Sequence, residues 1–93
     1  MRITIASYLA EYFATLLLIL SALVSGGNPL IIGATLGLIV LLAGEISGGM
    51  ANPAAALANF MNGTLTTKDV FIYIFVQLFG GASGFYAYKM LKA

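Results

Sequence analysis

Ser47-Gly48-Gly49-Met50-Ala51-Asn52-Pro53-Ala54-Ala55-Ala56-Leu57-Ala58 is a polar, glycine-bearing stretch that turns into alanine, set between long apolar runs. It reads as a loop that becomes a short helix. Asn52 has an N-cap side chain, Pro53 suits the first helical position because its missing N–H is not needed there, and Ala54 to Ala58 favour helix. Ser47, Gly48 and Gly49 let the preceding backbone stay unwound. Hydrocarbon cannot satisfy the N–H and C=O groups of unwound backbone, so such a loop in a membrane protein must be buried in protein or line a wet cavity. A helix from Pro53 to about Met61 would be only ~12–13 Å long at ~1.5 Å per residue, under half of a ~30 Å hydrocarbon core. It reaches the midplane and stops. There its positive end and the Asn52 amide meet whatever permeating molecule gives up water.

Composition makes the membrane setting necessary. Of 93 residues, 61% are hydrophobic and 8% charged, with a mean hydropathy of +1.05. A soluble chain of this size could not hide that much apolar surface, so the class is integral, multi-pass membrane protein. A net charge of +1 gives no support to nucleic-acid or acidic partners. Cysteine and histidine are both absent, which excludes zinc sites, disulfides and Cys/His catalysis. No nucleophile–base pair or metal cluster is in view, so neither an enzyme nor a cofactor is expected.

The spans follow from length and punctuation. Residues 3–25 are long enough to cross a bilayer and too long for a signal-peptide core. Gly26-Gly27-Asn28-Pro29 forces an immediate return. Residues 30–45 form a second helix, where Gly33, Ala34, Gly37 and Ala43 offer small faces for close packing. Residues 46–61 hold the loop and half-helix. The polar run from Asn62 to Asp69 is a turn in which either Thr66 or Thr67 caps a third span, residues 70–91, whose Lys89 and Lys92 complement its C-terminus. The expected fold is all-α: three transmembrane helices and one re-entrant half-helix in a single unit, with the termini on opposite sides.

The run Ile46-Ser47-Gly48-Gly49-Met50-Ala51-Asn52-Pro53-Ala54 resembles the signature loop of the aquaporin and glycerol-facilitator family, I-S-G-G-x-x-N-P-A. Two further matches come in the right order. Ala10-Glu11-Tyr12-Phe13-Ala14-Thr15-Leu16 is similar to the family's first-helix A-E-F-x-x-T pattern, and Tyr73 with Gln77-Leu78-Phe79-Gly80-Gly81 is similar to its Y-x-x-x-Q-x-x-G motif. Family chains usually fuse two such units in inverted orientation, and only one repeat is visible here. The resemblance therefore implies half of an aquaporin-like fold, in a half-length, single-repeat form.

It also implies roles. Asn52, besides capping the half-helix through its side-chain oxygen and an N–H near Ala55, would donate its amide hydrogens to a permeating oxygen. The carbonyls of Gly48, Gly49, Met50 and Ala51 would be acceptors along the same file, and Ala55 would line it. Glu11 would support the loop by accepting backbone N–H bonds, with Gln77 bonding across helices and Ser47 and Pro53 shaping the turn. Glu45 stands where many members have His, and also reads as an ordinary charge at a helix end. Gly80, Gly81 and Gly84 fit either dimer contacts or simple packing. Two departures touch selectivity: Met50 replaces a common His, and Ala55 stands where the family's second repeat usually has Arg.

Half a channel needs another half. Arg2 and Lys68 on one side nearly balance Lys89 and Lys92 on the other, a charge pattern that sets no firm orientation. Two copies of opposite topology would bring two half-helices tip to tip at the midplane. The expectation is a passive channel for water or small neutral solutes such as glycerol, made by an antiparallel homodimer and open to fourfold assembly. The alternative is a non-conducting structural subunit of a larger membrane assembly or virion-like shell.

Overall fold

The computed structural model describes residues 1–92. Four helices follow one another: α1 (Ile5–Val24), α2 (Pro29–Ser47), α3 (Pro53–Met61) and α4 (Thr67–Lys92). Helices α1, α2 and α4 are each long and apolar enough to cross a membrane, while α3, at 9 residues, is not. The chain is an integral, multi-pass, all-α membrane protein with a loop and a short helix between its second and third spans.

Local chemistry sets the helix ends. Gly26 and Gly27, both at positive φ, turn the chain after α1, and Asn28 then accepts hydrogen bonds from the Leu30 and Ile31 amides ahead of Pro29. At the head of α4 it is Thr66 that caps, its hydroxyl accepting from Asp69 N at 3.2 Å. Both α2 and α4 run further than the expected 30–45 and 70–91, because their ends are tied down by hydrogen bonds that apolar periodicity does not reveal.

Helix α1 is the central post, packing on α2 along one side and on α4 along the other, while α3 lies against α4. The α1–α4 seam is close. A Cβ built on Gly84 would lie 2.8 Å from the Leu16 carbonyl oxygen, and one on Gly80 would collide with that of Tyr12. Those glycines therefore serve packing within the chain. On α2 the small faces at Gly33 and Gly37 are not used for close packing within the chain, since a Cβ at either would meet nothing within 4 Å. Among the described helices only α1 packs along the length of α2, the loop and Tyr73 of α4 touching it near its C-terminal half, and much of its far face is exposed. Ala43 does face α1, across a hollow that it lines with Ala10 and Phe13.

Candidate functional site at the re-entrant loop

The loop begins where α2 unwinds. Gly48 takes φ 94° and its N–H still bonds the Gly44 carbonyl at 2.9 Å; Gly49 and Ala51 follow at φ 59° and 52°. Three left-handed residues out of four make a tight hook. Ala51 carries a Cβ in a region where L-residues cost roughly 1–2 kcal/mol, so something must hold it there. Gly49 is required for a different reason: its backbone lies on α2, with room for a Cβ only 2.9 Å from the Val40 Cα.

What holds the hook is Glu11. Its side chain is fully buried, and four donors converge on it. Oε2 accepts from Ser47 Oγ at 2.6 Å and from Met50 N at 3.0 Å; Oε1 accepts from Ala51 N at 2.8 Å and from Gln77 Nε2 at 2.9 Å. A carboxylate has about four lone-pair positions, and all are used. One side chain on α1 thus gathers the end of α2, the loop and α4. The strained residue is the one it grips at the shortest N–H distance of the two loop amides.

Two of the carbonyls that α2 leaves open at its C-terminus are also taken. Ser7 Oγ donates to the Ile46 carbonyl at 2.6 Å, and Tyr73 OH donates to that of Ser47 at 2.7 Å. Unmade, such bonds would strand acceptors in a water-poor interior. Tyr8 and Asp69 add a link between α1 and α4 at 2.8 Å, and Tyr12 bonds Ser83 further along at 2.5 Å. Sequence reading assigned no role to Ser7, Ser83 or the Tyr73 hydroxyl. A signal was available: Ser7, Glu11 and Thr15 on α1, like Tyr73 and Gln77 on α4, recur at the four-residue spacing of one helix face.

After the hook, Asn52 returns to extended backbone and caps α3. Its Oδ1 accepts from Ala54 N at 2.9 Å, one residue earlier than the expected donor near Ala55, and its carbonyl takes the Ala56 N–H at 3.0 Å. The cap uses only the oxygen, and the amide Nδ2 remains on an exposed residue. Pro53 occupies the first helical position behind it.

A groove of about 410 Å³ opens at this point, bounded by Thr15, Leu18, Asn52, Pro53, Gln77 and Gly81 among others. It brings together Ala51, Asn52, Pro53 and Gln77 of the residues singled out from sequence. The others lie elsewhere. The Met50 side chain is buried with Ala56, Leu65, Val70 and Tyr73, and Ala55 packs on that same cluster. Gly48 and Gly49 form the hook without bounding the groove, Glu11 and Ser47 are fully enclosed, and Glu45 is exposed. Among the described residues no group of three or more acidic, His or Cys side chains could hold a metal ion. The chemistry on offer is an amide donor at a helix N-terminus beside a mostly apolar wall, fit for a neutral hydrogen-bonding molecule.

The chain is similar in sequence to known proteins of one family. The model of the family described as Major intrinsic protein matches residues 2–92. Glycerol uptake facilitator protein-like 6 of Lactiplantibacillus plantarum is 33% identical over 81 residues, covering 78% of this chain and 38% of that protein. Aquaporin-8 of Mus musculus is 48% identical over 52 residues, 56% of this chain and 20% of its own. Aquaglyceroporin AqpS of Rhizobium meliloti is 35% identical over 63 residues, 68% of this chain and 27% of its own. The chain therefore spans well under half the length of these relatives. No solved structure matches it.

Proposed function

The chain belongs to the major intrinsic protein family, and on that premise we propose that it is a passive channel for water and small neutral solutes such as glycerol, built as an antiparallel, dual-topology homodimer. The names of its relatives, an aquaporin, an aquaglyceroporin and a glycerol facilitator, support the solute class. The observation that carries the reading is the Glu11-held hook, which fixes Asn52 at the head of a half-helix with its amide uncommitted. A neutral oxygen arriving there finds a donor in place of lost water, while an ion finds too few ligands to replace its hydration shell. Pore-lining falls to Asn52 and to the carbonyls of Gly48, Gly49, Met50 and Ala51, and pairs of copies can gather further into a fourfold assembly.

Met50 and Ala55 bear on selectivity. With the Met50 side chain in the core, the methionine in place of histidine adds no bulk to the file. With Ala55 in place of arginine, width rather than charge selects, so glycerol should pass as well as water.

The experiment is stopped-flow shrinkage of liposomes holding the purified protein, under sucrose and then glycerol gradients, beside Asn52→Asp and empty vesicles. Water flux well above empty vesicles and altered by Asn52→Asp is the expected result. Flux equal to empty vesicles, from protein shown to be folded and inserted, would overturn conduction in favour of a structural subunit.

A further inference from the structure

A second groove of about 410 Å³ opens along the seam of α1 and α4, bounded chiefly by Tyr8, Leu9 and Tyr12 on one helix and by Phe75, Val76 and Phe79 on the other. None of these residues bounds the groove at Asn52. It presents only apolar atoms. The two tyrosines turn ring surface to it, because the Tyr8 hydroxyl is bonded to Asp69 and that of Tyr12 to Ser83. Phe75 and Phe79 stand open beside it, 63% and 56% exposed, with ring centroids 4.9 Å apart.

Those walls are wrong for another helix. In lipid, helices are drawn together by small residues that let backbones approach and by hydrogen bonds across the contact, because lipid tails are as apolar as any side chain. The α1–α4 seam itself uses both, at Gly80 and Gly84 and at Gln77. The groove has neither: no glycine, alanine or serine lines it, and it offers no donor or acceptor. A hydrocarbon chain needs neither.

Charge says which lipid. Lys68, Ile72 and Val76 recur at four-residue spacing, so Lys68 stands about two turns before Val76 on the groove face of α4. It is exposed, and its long stem lies along apolar wall while its ammonium reaches the headgroup layer. A cation in the first turn of a helix opposes the helix dipole, so Lys68 is not there to hold α4. Helices α1 and α4 run parallel, since Tyr8 meets Asp69 and Tyr12 meets Ser83, and Arg2, exposed just ahead of α1, adds a second cation at the same membrane face. The acids of that face are engaged or set apart: Asp69 is turned to α1, where it accepts the Tyr8 hydroxyl, and Glu45 is on α2. We infer that the groove seats one acyl chain of an anionic phospholipid whose phosphate is held by Lys68. A zwitterionic headgroup fits less well, because its phosphate is already answered by its own ammonium.

The chain has no tryptophan, so a single one reports without background. Phe79→Trp places it in the groove, and Leu41→Trp places it on the outer face of α2, where Leu41 is 81% exposed. Each protein is reconstituted in phosphatidylcholine vesicles in which either that lipid or added phosphatidylglycerol carries bromine in mid-chain. Quenching then gives the relative affinity of the two lipids at each position. Phosphatidylglycerol should be favoured about fivefold at Phe79→Trp, the scale of one basic side chain acting on an anionic headgroup, and not at Leu41→Trp. Adding Lys68→Gln to Phe79→Trp should remove the preference, while Lys92→Gln, the same change of charge at the other membrane face, leaves it. Val76→Phe fills the groove and should also remove it, whereas a diffuse layer of anionic lipid around Lys68 would be indifferent to that change. Equal affinity of the two lipids at Phe79→Trp, or a preference that survives Lys68→Gln or Val76→Phe in folded, inserted protein, would overturn the inference. Quenching by neither lipid would overturn it as well, and would mean that protein covers the groove. The readout is lipid contact and is independent of conduction.

Discussion

Helices α2 and α4 carry the same kind of residue to opposite ends. Gly80 and Gly84 on α4 let two backbones meet, with no room for a methyl group against the carbonyls of Tyr12 and Leu16. Gly33, Gly37 and Gly44 on α2 touch nothing within reach of a Cβ. The polar side chains divide the same way. Glu11, Thr15, Tyr73 and Gln77 are buried around the α1–α4 seam, while the body of α2 is nearly all aliphatic and faces outward. In lipid, where apolar surface gives little drive for helices to meet, close contact and hydrogen bonds do the work. The α1–α4 pair has both and behaves as the frame of the unit. Helix α2 is fastened mainly at its C-terminal end, by the knot around Ser47.

That contrast is broken most severely at Glu11. In Glu11→Gln one carboxylate oxygen becomes an amide that donates toward two donors, leaving about two buried groups unpaired at about 1–3 kcal/mol each, or about 2–6 kcal/mol in all. The expected outcome is loss of the folded form, read as a large fall in the denaturant midpoint in detergent and as proteolysis at the loop. An unfolding free energy within about 1 kcal/mol of the parent, the cost of one ordinary hydrogen bond, would mean that Glu11 does not tie the seam to α2. Gly84→Leu comes next. It forces bulk into a seam where even a Cβ would lie 2.8 Å from the Leu16 carbonyl oxygen and should cost about 1–3 kcal/mol by overpacking, separating α1 from α4 while leaving each helix formed. Helical circular dichroism should persist as the unfolding midpoint drops.

Tyr73→Phe tests the knot with a lighter hand. The ring stays in the core and only the bond to the Ser47 carbonyl is lost, worth about 0.5–1.5 kcal/mol. The loosened end should be that of α2. Amide exchange is expected to quicken at Ser47 to Gly49 and to remain slow in the middle of α4. Faster exchange throughout α4 instead would place the weak point in the seam.

The elements of this fold are legible in sequence because membrane physics narrows the choices. Twenty apolar residues make a span, Gly26-Gly27-Asn28-Pro29 makes a return, and Asn52-Pro53 followed by alanines makes a helix too short to cross. The stiffness of the site is less legible. That Glu11 faces the loop came from resemblance, and nothing in the local sequence says that two of its four bonds reach amides roughly 40 positions away. Ser7 and Tyr73 were readable only as a polar stripe, since their acceptors are backbone carbonyls and leave no trace in composition. The glycines were the least legible of all. Glycine in a span permits contact without requiring it, and only the position of the neighbouring helix separates Gly84 from Gly37.

Gly37 therefore gives the smallest and most pointed prediction. In a frame where every helix face is committed, a methyl group added to a glycine costs stability; on an unpartnered face it should do the opposite. Alanine exceeds glycine in helix interiors by about 0.5–1 kcal/mol, and the Cβ at Gly37 meets no atom within 4 Å. Gly37→Ala should thus raise the unfolding midpoint of the single chain in detergent, slightly, whereas Gly80→Ala lowers it. If instead Gly37→Ala leaves the chain stable in detergent but weakens its assembly in lipid, the open face of α2 is one that another helix covers, and the difference between the two sets of glycines becomes one between contacts within the chain and contacts beyond it.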